Sequence, residues 1–241
     1  MQEKTLACVL LDVDDTLLDF HKAEAAALTR TLTEMGLEPR PELINLYSQI
    51  NARQWELLEE GLLTREQVLV RRFDIFFSQL GIKHSGAEAK ELYEHYLSIG
   101  HYFMDGAPEL LEALKGKYEL YIVSNGTASV QASRIESAGI ASYFRRIFIS
   151  EEIGFNKPSR EFFARCFAEI PGFDRERAVI VGDSLTSDIR GGINAGIKTC
   201  WFNPKGKPGR EDIKADYEIS ALAQLPGLLA EMFKASFCGQ I

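Results

Sequence analysis

The sequence contains little cysteine. Its 241 residues include four, Cys8, Cys166, Cys200 and Cys238. No two of them form a CxxC pair and none clusters with histidine, which argues against a structural zinc site or a thiol–disulfide redox motif. Three of them lie in apolar surroundings and are interpreted as small core residues, whereas Cys238 lies near the C-terminus. Such sparse, unpaired cysteines are typical of a protein from a reducing compartment.

The chain also lacks a basic excess and any long apolar run. Its 27 lysines and arginines are outnumbered by 35 aspartates and glutamates, giving a formal net charge of −8. This balance argues against a nucleic acid or an anionic membrane as the main partner. No stretch reaches the ~20 apolar residues of a membrane span, and the N-terminal MQEKTLACVLL is too polar for a signal peptide. We therefore expect a soluble, cytoplasmic protein.

What the sequence does contain is an α/β pattern. The apolar run from Leu6 to Leu11 predicts a strand that is buried on both faces. From residue 104 onward, predicted strands alternate with predicted helices, which is typical of a parallel sheet with helices on both faces. After 104, strands are predicted at 118–123, 145–150, 177–183 and 198–203, and helices near 127–138, 159–169, 185–195 and 221–235.

A helical block interrupts this pattern directly after the first strand. Four segments between residues 20 and 103, near 21–36, 41–60, 64–80 and 86–101, carry apolar residues at helical spacing. Thr64 and Gln67 have the spacing of a helix capping box. The simplest interpretation is a helical domain over 19–103, inserted into an α/β core formed by 1–18 and 104–241. Because no long apolar stripe is left over, a monomer is expected.

Polar residues collect where the predicted strands end. They are Asp12 and Asp14, Ser124 and Asn125, Asp183 and Asp188, with Lys157 in a loop before a helix. In an open α/β sheet, ligands bind at the carboxyl ends of the strands. Carboxylates gathered there would repel and desolvate one another without a strong cation. Their hard oxygen atoms suit Mg²⁺, so the sequence predicts a magnesium site at this edge.

Four motifs follow one another in a fixed order: DVDDT, a serine after a strand (Ser124), a lysine before a proline (Lys157) and GDSLTSD. In this order the chain resembles the haloacid dehalogenase superfamily, whose first motif is DxDx[TV]. The resemblance spans the whole chain, and the helical block lies where the C1 cap domain of that superfamily occurs. It implies a Rossmann-like core with an inserted C1 cap.

The resemblance also implies catalytic roles. Asp12 would attack phosphorus and form an aspartyl-phosphate. Asp14 would protonate the leaving oxygen and then deprotonate the attacking water. Thr16 would support the loop and orient Asp14. Ser124 and neighbouring groups, Asn125 among them, would bind the phosphoryl oxygens, and Lys157 would neutralise the phosphate and the nucleophile.

The same resemblance implies the metal ligands. Asp12 and the main-chain carbonyl of Asp14 would bind Mg²⁺ from the first motif. Asp183 would bind it directly, and Asp188 would hold a metal-bound water or position Lys157. Four other polar residues receive structural interpretations: Asp15 as a loop acid, Asp19 as a helix cap or hinge residue, and Ser184 with Ser187 as caps of the helix near 185.

Asp14 favours phosphoryl chemistry over dehalogenation. Dehalogenases of this superfamily lack an aspartate two positions after the nucleophile, since a halide leaves without protonation. The transport ATPases of the superfamily carry membrane spans, which this sequence lacks, whereas a β-phosphoglucomutase-like enzyme shares the same motifs and stays open. A receiver-like phospho-acceptor is disfavoured, because receivers carry neither this second aspartate nor an insertion of this size. An inactive binding protein is disfavoured because every expected catalytic residue is present.

Within the superfamily, the chain resembles the bacterial pyrimidine 5′-nucleotidases, with the run INARQWELLEEGLLTREQVLVRRF in the cap among the supporting stretches. Trp55 has two open interpretations, stacking on a base or packing in the cap core, and Asn51, four residues earlier, shares its helix face. Arg72 would reach the substrate or form a surface ion pair. Phe20 would contact the nucleoside or pack in the core. The alternative substrate class is a small sugar phosphate or phosphoglycolate. In either case the cap would open and close to admit substrate, about hinges near 16–20 and 102–106.

Overall fold

The computed structural model describes residues 7–234, so Cys238 lies outside the described part of the chain. One sheet has the strand order β3-β2-β1-β4-β5-β6, and every neighbouring pair is parallel. The predicted α/β class with a parallel sheet is therefore confirmed. The strands are β1 (Cys8–Leu11), β2 (Glu119–Ser124), β3 (Arg146–Ile149), β4 (Ala178–Gly182), β5 (Lys198–Phe202) and β6 (Tyr217–Ile219).

Helices account for most of the remaining regular structure. The four helices between residues 20 and 99 confirm the predicted helical block to within a few residues at each end. None of the helices in residues 7–234 combines the length and the apolar character that crossing a membrane requires. They are α1 (Phe20–Glu34), α2 (Pro41–Glu59), α3 (Arg65–Leu80), α4 (Gly86–Ile99), α5 (Ala107–Leu114), α6 (Ala128–Ser137), α7 (Ser150–Ile153), α8 (Arg160–Ala168), α9 (Arg190–Ala195) and α10 (Leu225–Lys234).

The chain divides into two compact units. The first contains the sheet and comprises the described residues up to Leu18, Phe103–Ala128, and those from Gly139 onward. The second comprises Asp19–Tyr102 and Ser129–Ala138, that is, the four helices of the insertion and most of α6. The chain therefore passes from one unit to the other after Leu18 and after Tyr102, as well as at the two ends of the 129–138 segment.

The central strand of the sheet is β1, which pairs with β2 on one side and with β4 on the other. All four of its residues are buried, as expected for a strand covered on both faces. Cys8 and Leu10 belong to one apolar cluster, which includes Phe162 and Phe163 of α8. Cys166 belongs to the same cluster and Cys200 is also buried, so both cysteines are core residues as predicted.

The helical unit has its own aromatic core. Tyr47 of α2 packs against the rings of Phe73, Phe76 and Tyr93, with centroids 4.9 to 5.7 Å apart. The helix ends follow from local chemistry. The Thr64 hydroxyl accepts from the main chain of Gln67 and the Gln67 side chain accepts from that of Thr64, so the predicted capping box is confirmed.

Asp19 caps α1, because its carboxylate accepts a hydrogen bond from the main-chain N–H of Lys22 at 2.9 Å. Ser184 caps the turn after β4 in the same way, through the N–H of Ser187. The prediction that Ser187 is also a cap is wrong, because this residue lies inside the turn and supplies the N–H that Ser184 binds.

The structure differs from the predicted elements in three places. The helix predicted over 185–195 begins as a wider turn, Leu185–Ile189, in which the N–H of Ile189 donates to the Ser184 carbonyl five residues back, before α9 continues it. The edge strand β6 was not predicted, since it has three residues and only Ile219 of them is buried. The last predicted helix, 221–235, starts as a 3₁₀ turn over Leu222–Gln224 before α10.

Candidate active site

Asp12 is the first residue after β1. Its main-chain N–H donates to the carbonyl of Val181 at 3.0 Å, which continues the pairing of β1 with β4 by one residue. The residue is buried, so its carboxylate sits at the carboxyl end of the central strand with little access to water. A charged group in this place needs cationic partners.

A tight loop follows Asp12 and carries the rest of the first motif. The carbonyl of Val13 accepts from the N–H groups of Thr16, Leu17 and Leu18. Asp15 has a φ of +58°, the left-handed region that aspartate tolerates better than most residues. Its predicted structural role as a loop acid agrees with this conformation.

The loop positions two predicted site residues. Asp14 is half-buried, and Thr16 is fully buried. The Thr16 main chain supports the loop through its bond to Val13, but its hydroxyl finds no hydrogen-bond partner within residues 7–234. The structure therefore shows Thr16 supporting the loop, and it shows no hydrogen bond from the Thr16 hydroxyl to Asp14.

Ser124 and Asn125 stand at the end of β2. Ser124 is buried, and its hydroxyl accepts from the N–H of Gly126 at 3.0 Å. The Asn125 side chain binds the main chain of Lys157: its Nδ2 donates to the Lys157 carbonyl at 2.9 Å, and its Oδ1 accepts from the Lys157 N–H at 2.8 Å. The sequence suggested phosphate binding for Asn125 and gave no sign of this clamp.

Lys157 joins the first motif to the last. Its side chain is 2% exposed, and its ammonium nitrogen lies 2.6 Å from Oδ1 of Asp12, 2.7 Å from Oδ1 of Asp188 and 2.8 Å from the carbonyl oxygen of Val123. These three acceptors use all three N–H donors of the ammonium. The Val123 carbonyl is a functional group that sequence reasoning missed.

Asp188 reaches the site from the wide turn after β4. Its second carboxylate oxygen accepts from the main-chain N–H of Ser184 at 3.2 Å. The approach depends on Gly182, the last residue of β4, because a Cβ built there would lie 2.2 Å from Oδ2 of Asp188. A side chain at position 182 would therefore displace the carboxylate that Lys157 binds.

Asp183 contributes the third carboxylate of the cluster. Its main-chain carbonyl accepts from the indole N–H of Trp201 at 2.8 Å, and its Oδ2 lies 3.3 Å from the ammonium nitrogen of Lys207. Burial raises the pKa of Asp183 to about 7, with further contributions from the carboxylates of Asp188 and Asp15, while Lys207 opposes the shift. Lys207 lies in the 203–209 loop, for which the sequence suggested no role.

Crowding also affects the groups around Lys157. Burial is the largest cause of the raised pKa of Asp12, Lys157 opposes it, and the carboxylates of Asp188 and Asp14 add to it. Burial alone would lower the pKa of Lys157, but the carboxylates of Asp12 and Asp188 outweigh that effect and raise it. The site therefore concentrates negative charge around one fully buried lysine.

The donor set fits a divalent cation. Asp12, Asp183 and Asp188 each offer a carboxylate oxygen, and these atoms all lie within 4.8 Å of one another. Hard oxygen donors in a partly desolvated cluster are what Mg²⁺ prefers, and a cation would offset the repulsion among these carboxylates.

The four predicted cap residues lie in the helical unit. Asn51 and Arg72 are buried and bonded to each other: Arg72 donates to the Asn51 Oδ1 at 2.9 Å, and the Asn51 Nδ2 donates to Glu24 at 2.7 Å. The interpretation of Arg72 as a surface ion pair is wrong, because its side chain is 2% exposed and lies 4.8 Å from the ring centroid of Tyr93.

The two aromatic cap residues are less enclosed. Trp55 is half-buried, and the Arg65 guanidinium lies 5.7 Å from its ring centroid. Phe20, the first residue of α1, is partly buried against the helical core, and the Arg134 guanidinium lies 5.8 Å from its ring centroid. The core-packing interpretation of Phe20 agrees with this contact, whereas a substrate contact by Phe20 and both interpretations of Trp55 stay predictions.

Comparison with known proteins defines the class. The model of the haloacid dehalogenase-like hydrolase family matches residues 9–202 of this chain. The match spans the first motif, the helical insertion, Ser124, Lys157 and the last motif. The chain belongs to the haloacid dehalogenase-like hydrolases, as the order of its motifs indicated, and it is a hydrolase.

Three similar proteins refine this picture. YfnB of Bacillus subtilis is 40% identical over 226 residues, covering 94% of this chain and 96% of YfnB. The crystal structure of YfnB bound to magnesium, in which interdomain movement is described, has a TM-score of 0.90 and covers 94% of this chain and 99% of that one. The pyrimidine 5′-nucleotidase PynA of Streptococcus pneumoniae is 35% identical, covering 90% of this chain and 92% of PynA. The pyrimidine 5′-nucleotidase YjjG of Escherichia coli is 30% identical, covering 92% of this chain and 97% of YjjG.

These findings confirm the predicted family, the fold class and the enzyme class, phosphoric monoester hydrolase. The family match and the magnesium-bound relative agree with the acidic cluster of Asp12, Asp183 and Asp188.

Proposed function

We propose that this protein is a Mg²⁺-dependent phosphohydrolase that cleaves nucleoside 5′-monophosphates of the pyrimidine type through an aspartyl-phosphate on Asp12. The observation that carries the chemistry is the bonding of the Lys157 ammonium to both Asp12 and Asp188 at the carboxyl edge of the sheet. A buried lysine held in this way favours the ionised form of the nucleophilic carboxylate and fixes its orientation.

In the first step, a carboxylate oxygen of Asp12 attacks phosphorus, and the bond between phosphorus and the ester oxygen breaks. The leaving oxygen takes a proton from the carboxyl group of Asp14, so the nucleoside departs as an alcohol. The buried Ser124 hydroxyl and the amides beside it, at the end of β2, bind the non-bridging oxygens, and Lys157 balances their charge.

In the second step, water attacks the phosphorus of the aspartyl-phosphate. Asp14 accepts the proton of that water, the acyl–phosphate bond breaks, and Asp12 returns as a carboxylate with release of inorganic phosphate. Asp14 thus alternates between acid and base. Its half-buried position in the loop agrees with a group that must exchange protons with both substrate and water.

The carboxylates of Asp12 and Asp183 and the main-chain carbonyl of Asp14 would hold Mg²⁺, with Asp188 positioning Lys157 or a metal-bound water. A bound Mg²⁺ would supply positive charge that stabilises the phosphoryl oxygens in the transition state. The close approach of the three carboxylates supports this assignment.

The nucleotide substrate is supported by the relatives rather than by the site, since PynA and YjjG are named as pyrimidine 5′-nucleotidases. We propose that the helices of 19–103 form a cap domain that selects the substrate and opens about hinges near 16–20 and 102–106. Trp55 is the proposed stacking residue; its ring is half-buried, and the Arg65 guanidinium lies 5.7 Å from the ring centroid. Phe20, Asn51 and Arg72 complete the proposed specificity set, the last two through their mutual hydrogen bond.

The partner in this proposal is a small phosphorylated molecule. A monomeric state, a cytoplasmic location and the absence of nucleic-acid and membrane partners stay predictions. Size-exclusion chromatography with light scattering would test the first of these.

A substrate panel tests the proposal. Phosphate release is measured from nucleoside and deoxynucleoside 5′-monophosphates, sugar phosphates and phosphoglycolate, with Mg²⁺ and with EDTA. We expect Mg²⁺-dependent turnover that is highest on pyrimidine monophosphates. In Trp55→Ala, KM for those nucleotides rises about tenfold, by the loss of one stacking contact, while kcat/KM for p-nitrophenyl phosphate stays within about twofold.

Turnover confined to sugar phosphates or phosphoglycolate would contradict the nucleotide assignment and leave the aspartyl-phosphate chemistry in place. Conversion of one hexose phosphate isomer into another, without phosphate release, would favour the β-phosphoglucomutase-like alternative.

A further inference from the structure

Lys207 holds one of the proposed metal ligands. Its ammonium nitrogen lies 3.3 Å from Oδ2 of Asp183, and its side chain is 51% exposed whereas that of Asp183 is 20% exposed. None of the catalytic roles proposed above uses Lys207.

The loop that carries Lys207 is fixed by a buried asparagine. Asn203 follows β5 and binds both main-chain groups of Lys207: its Oδ1 accepts from the Lys207 N–H at 2.8 Å, and its Nδ2 donates to the Lys207 carbonyl at 3.0 Å. The same Nδ2 donates to Glu218 of β6 at 2.7 Å. Pro208 restricts the backbone of Lys207 to extended conformations. The main chain of Lys207 is thus anchored, and only its long side chain is left to move.

Among the hydrogen bonds described for residues 7–234, Lys157, the other lysine of the site, donates none to Asp183. The three N–H donors of Lys157 go to Asp12, Asp188 and the Val123 carbonyl. Among the hydrogen bonds and ion pairs described for residues 7–234, the cation on the Asp183 carboxylate is Lys207.

A bound Mg²⁺ and the Lys207 ammonium would compete for Asp183. A metal–oxygen bond to Mg²⁺ is about 2.0 to 2.1 Å long, so an ammonium that stays on the same carboxylate faces a divalent charge a few ångströms away. The ion pair is half-exposed, so it is weak enough to be displaced.

We propose that Lys207 is an internal counter-ion of Asp183, which occupies this carboxylate in the metal-free protein and leaves it when Mg²⁺ binds. Lys207 therefore weakens the apparent affinity for Mg²⁺ by competing for one of its ligands. The inference rests on the proposed function only in taking Asp183 as a Mg²⁺ ligand, and it does not depend on the identity of the substrate.

The test is a Mg²⁺ titration without substrate. Trp201 is a suitable reporter because its indole donates to the main-chain carbonyl of Asp183, and the chain has two tryptophans, Trp55 and Trp201. A Trp55→Phe background leaves Trp201 as the single fluorophore. In this background, the Kd for Mg²⁺ is compared among the parent, Lys207→Met, Lys207→Arg and Lys205→Met. Lys205→Met removes an exposed lysine of the same loop.

We expect Lys207→Met to lower the Kd for Mg²⁺ by about threefold to tenfold, the range for removing a competing half-exposed charge. Lys207→Arg keeps the charge and should stay within about twofold of the parent, as should Lys205→Met. The increase in thermal midpoint on adding a fixed Mg²⁺ concentration should be larger for Lys207→Met than for the parent, which gives a second readout that needs no fluorophore.

Unchanged or weaker Mg²⁺ binding in Lys207→Met would overturn the proposal. Weaker binding would show instead that Lys207 helps Asp183 to bind the metal. An equal gain in Lys205→Met would also overturn it, since the effect would then belong to net charge. A parent that binds no Mg²⁺ by either readout would overturn the metal site together with the role of Lys207, whereas failure on nucleotides in the substrate panel would leave this result untouched.

Discussion

The side-chain amide of Asn125 binds both main-chain groups of Lys157, although the two residues are 32 positions apart. An amide can satisfy an N–H and a carbonyl at once, so one short side chain fixes the segment from which Lys157 extends. The end of β2 is thereby connected to the loop before α8. We propose that Asn125 positions Lys157.

The first prediction concerns this clamp. Asn125→Ala should lower kcat by about a hundredfold, because a displacement of Lys157 by about 1 Å is enough for such a loss. KM and the Kd for Mg²⁺ should change by less than about threefold. The measurement is steady-state kinetics with a parallel thermal melt.

Asn194→Ala is the matched control for the clamp, since the Asn194 amide binds the carbonyl of Pro158, the next residue in the same segment, at 2.9 Å. Both variants should lose about 1 to 2 kcal/mol of stability, but Asn194→Ala should keep kcat within about fivefold. Equal losses of kcat in the two variants would show that the segment as a whole, and not the clamp on Lys157, is what matters.

Asp14→Asn should separate the two proton transfers assigned to Asp14. The leaving group of p-nitrophenyl phosphate needs little protonation, so the variant should still transfer the phosphoryl group from it to Asp12, and then stall because water is not activated. We expect a burst of about one equivalent of p-nitrophenol per site in a stopped-flow trace, followed by turnover slowed by about 10² to 10⁴. A pyrimidine monophosphate should give no burst, and a burst of equal size from both substrates would refute the acid role.

Arg72→Met tests the buried polar network of the helical unit. The Arg72 guanidinium bonds to Asn51 and to the carbonyl of Leu69, and the nearby Glu24 carboxylate is buried with a pKa raised by that burial. Loss of the positive charge should cost about 3 kcal/mol in free energy of unfolding, because the remaining polar groups stay buried without it. Urea denaturation followed by circular dichroism measures the change.

The adjacent Arg71 supplies the control, since its side chain is exposed. Arg71→Met should change the free energy of unfolding by no more than about 0.5 kcal/mol. If the two variants were equally stable, the network would contribute nothing and Arg72 would be available for substrate binding alone.

Much of the architecture follows from local sequence signals. The helical periodicity of 20–103 located α1 to α4 closely, since each of these helices buries one face and has a recognisable end, such as Thr64 at the start of α3. The polar residues after β1, β2 and β4 indicated the site, because parallel strands bring their carboxyl ends to one edge. The Lys157 ammonium accordingly lies within hydrogen-bond distance of both Asp12 and Asp188.

What the sequence did not reveal are contacts without a local pattern. The clamp of Asn125 on Lys157 and the pair of Lys207 and Asp183 join residues that are far apart in the chain. The sequence left Arg72 open between a substrate contact and a surface ion pair, because arginine is rarely buried. Only the packing of α2 against α3 places Asn51 beside it. The wide turn that carries Asp188 has the composition of an ordinary helix start, so its extra residue per turn was not foreseeable.

The central claim is that Asp12 carries the phosphoryl group between the two steps. The direct measurement is an acid quench of wild-type protein during turnover of a pyrimidine nucleoside monophosphate labelled in its phosphate, followed by digestion and mass spectrometry. Asp12→Asn and Asp15→Asn are treated in parallel, the second because asparagine also tolerates the left-handed backbone at position 15.

We predict hydroxylamine-labile phosphate on the peptide that contains Asp12 in the wild type and in Asp15→Asn, with none in Asp12→Asn, whose turnover falls by at least about a thousandfold. Labelled phosphate released at the wild-type rate by Asp12→Asn, or found on a residue other than Asp12, would contradict the account.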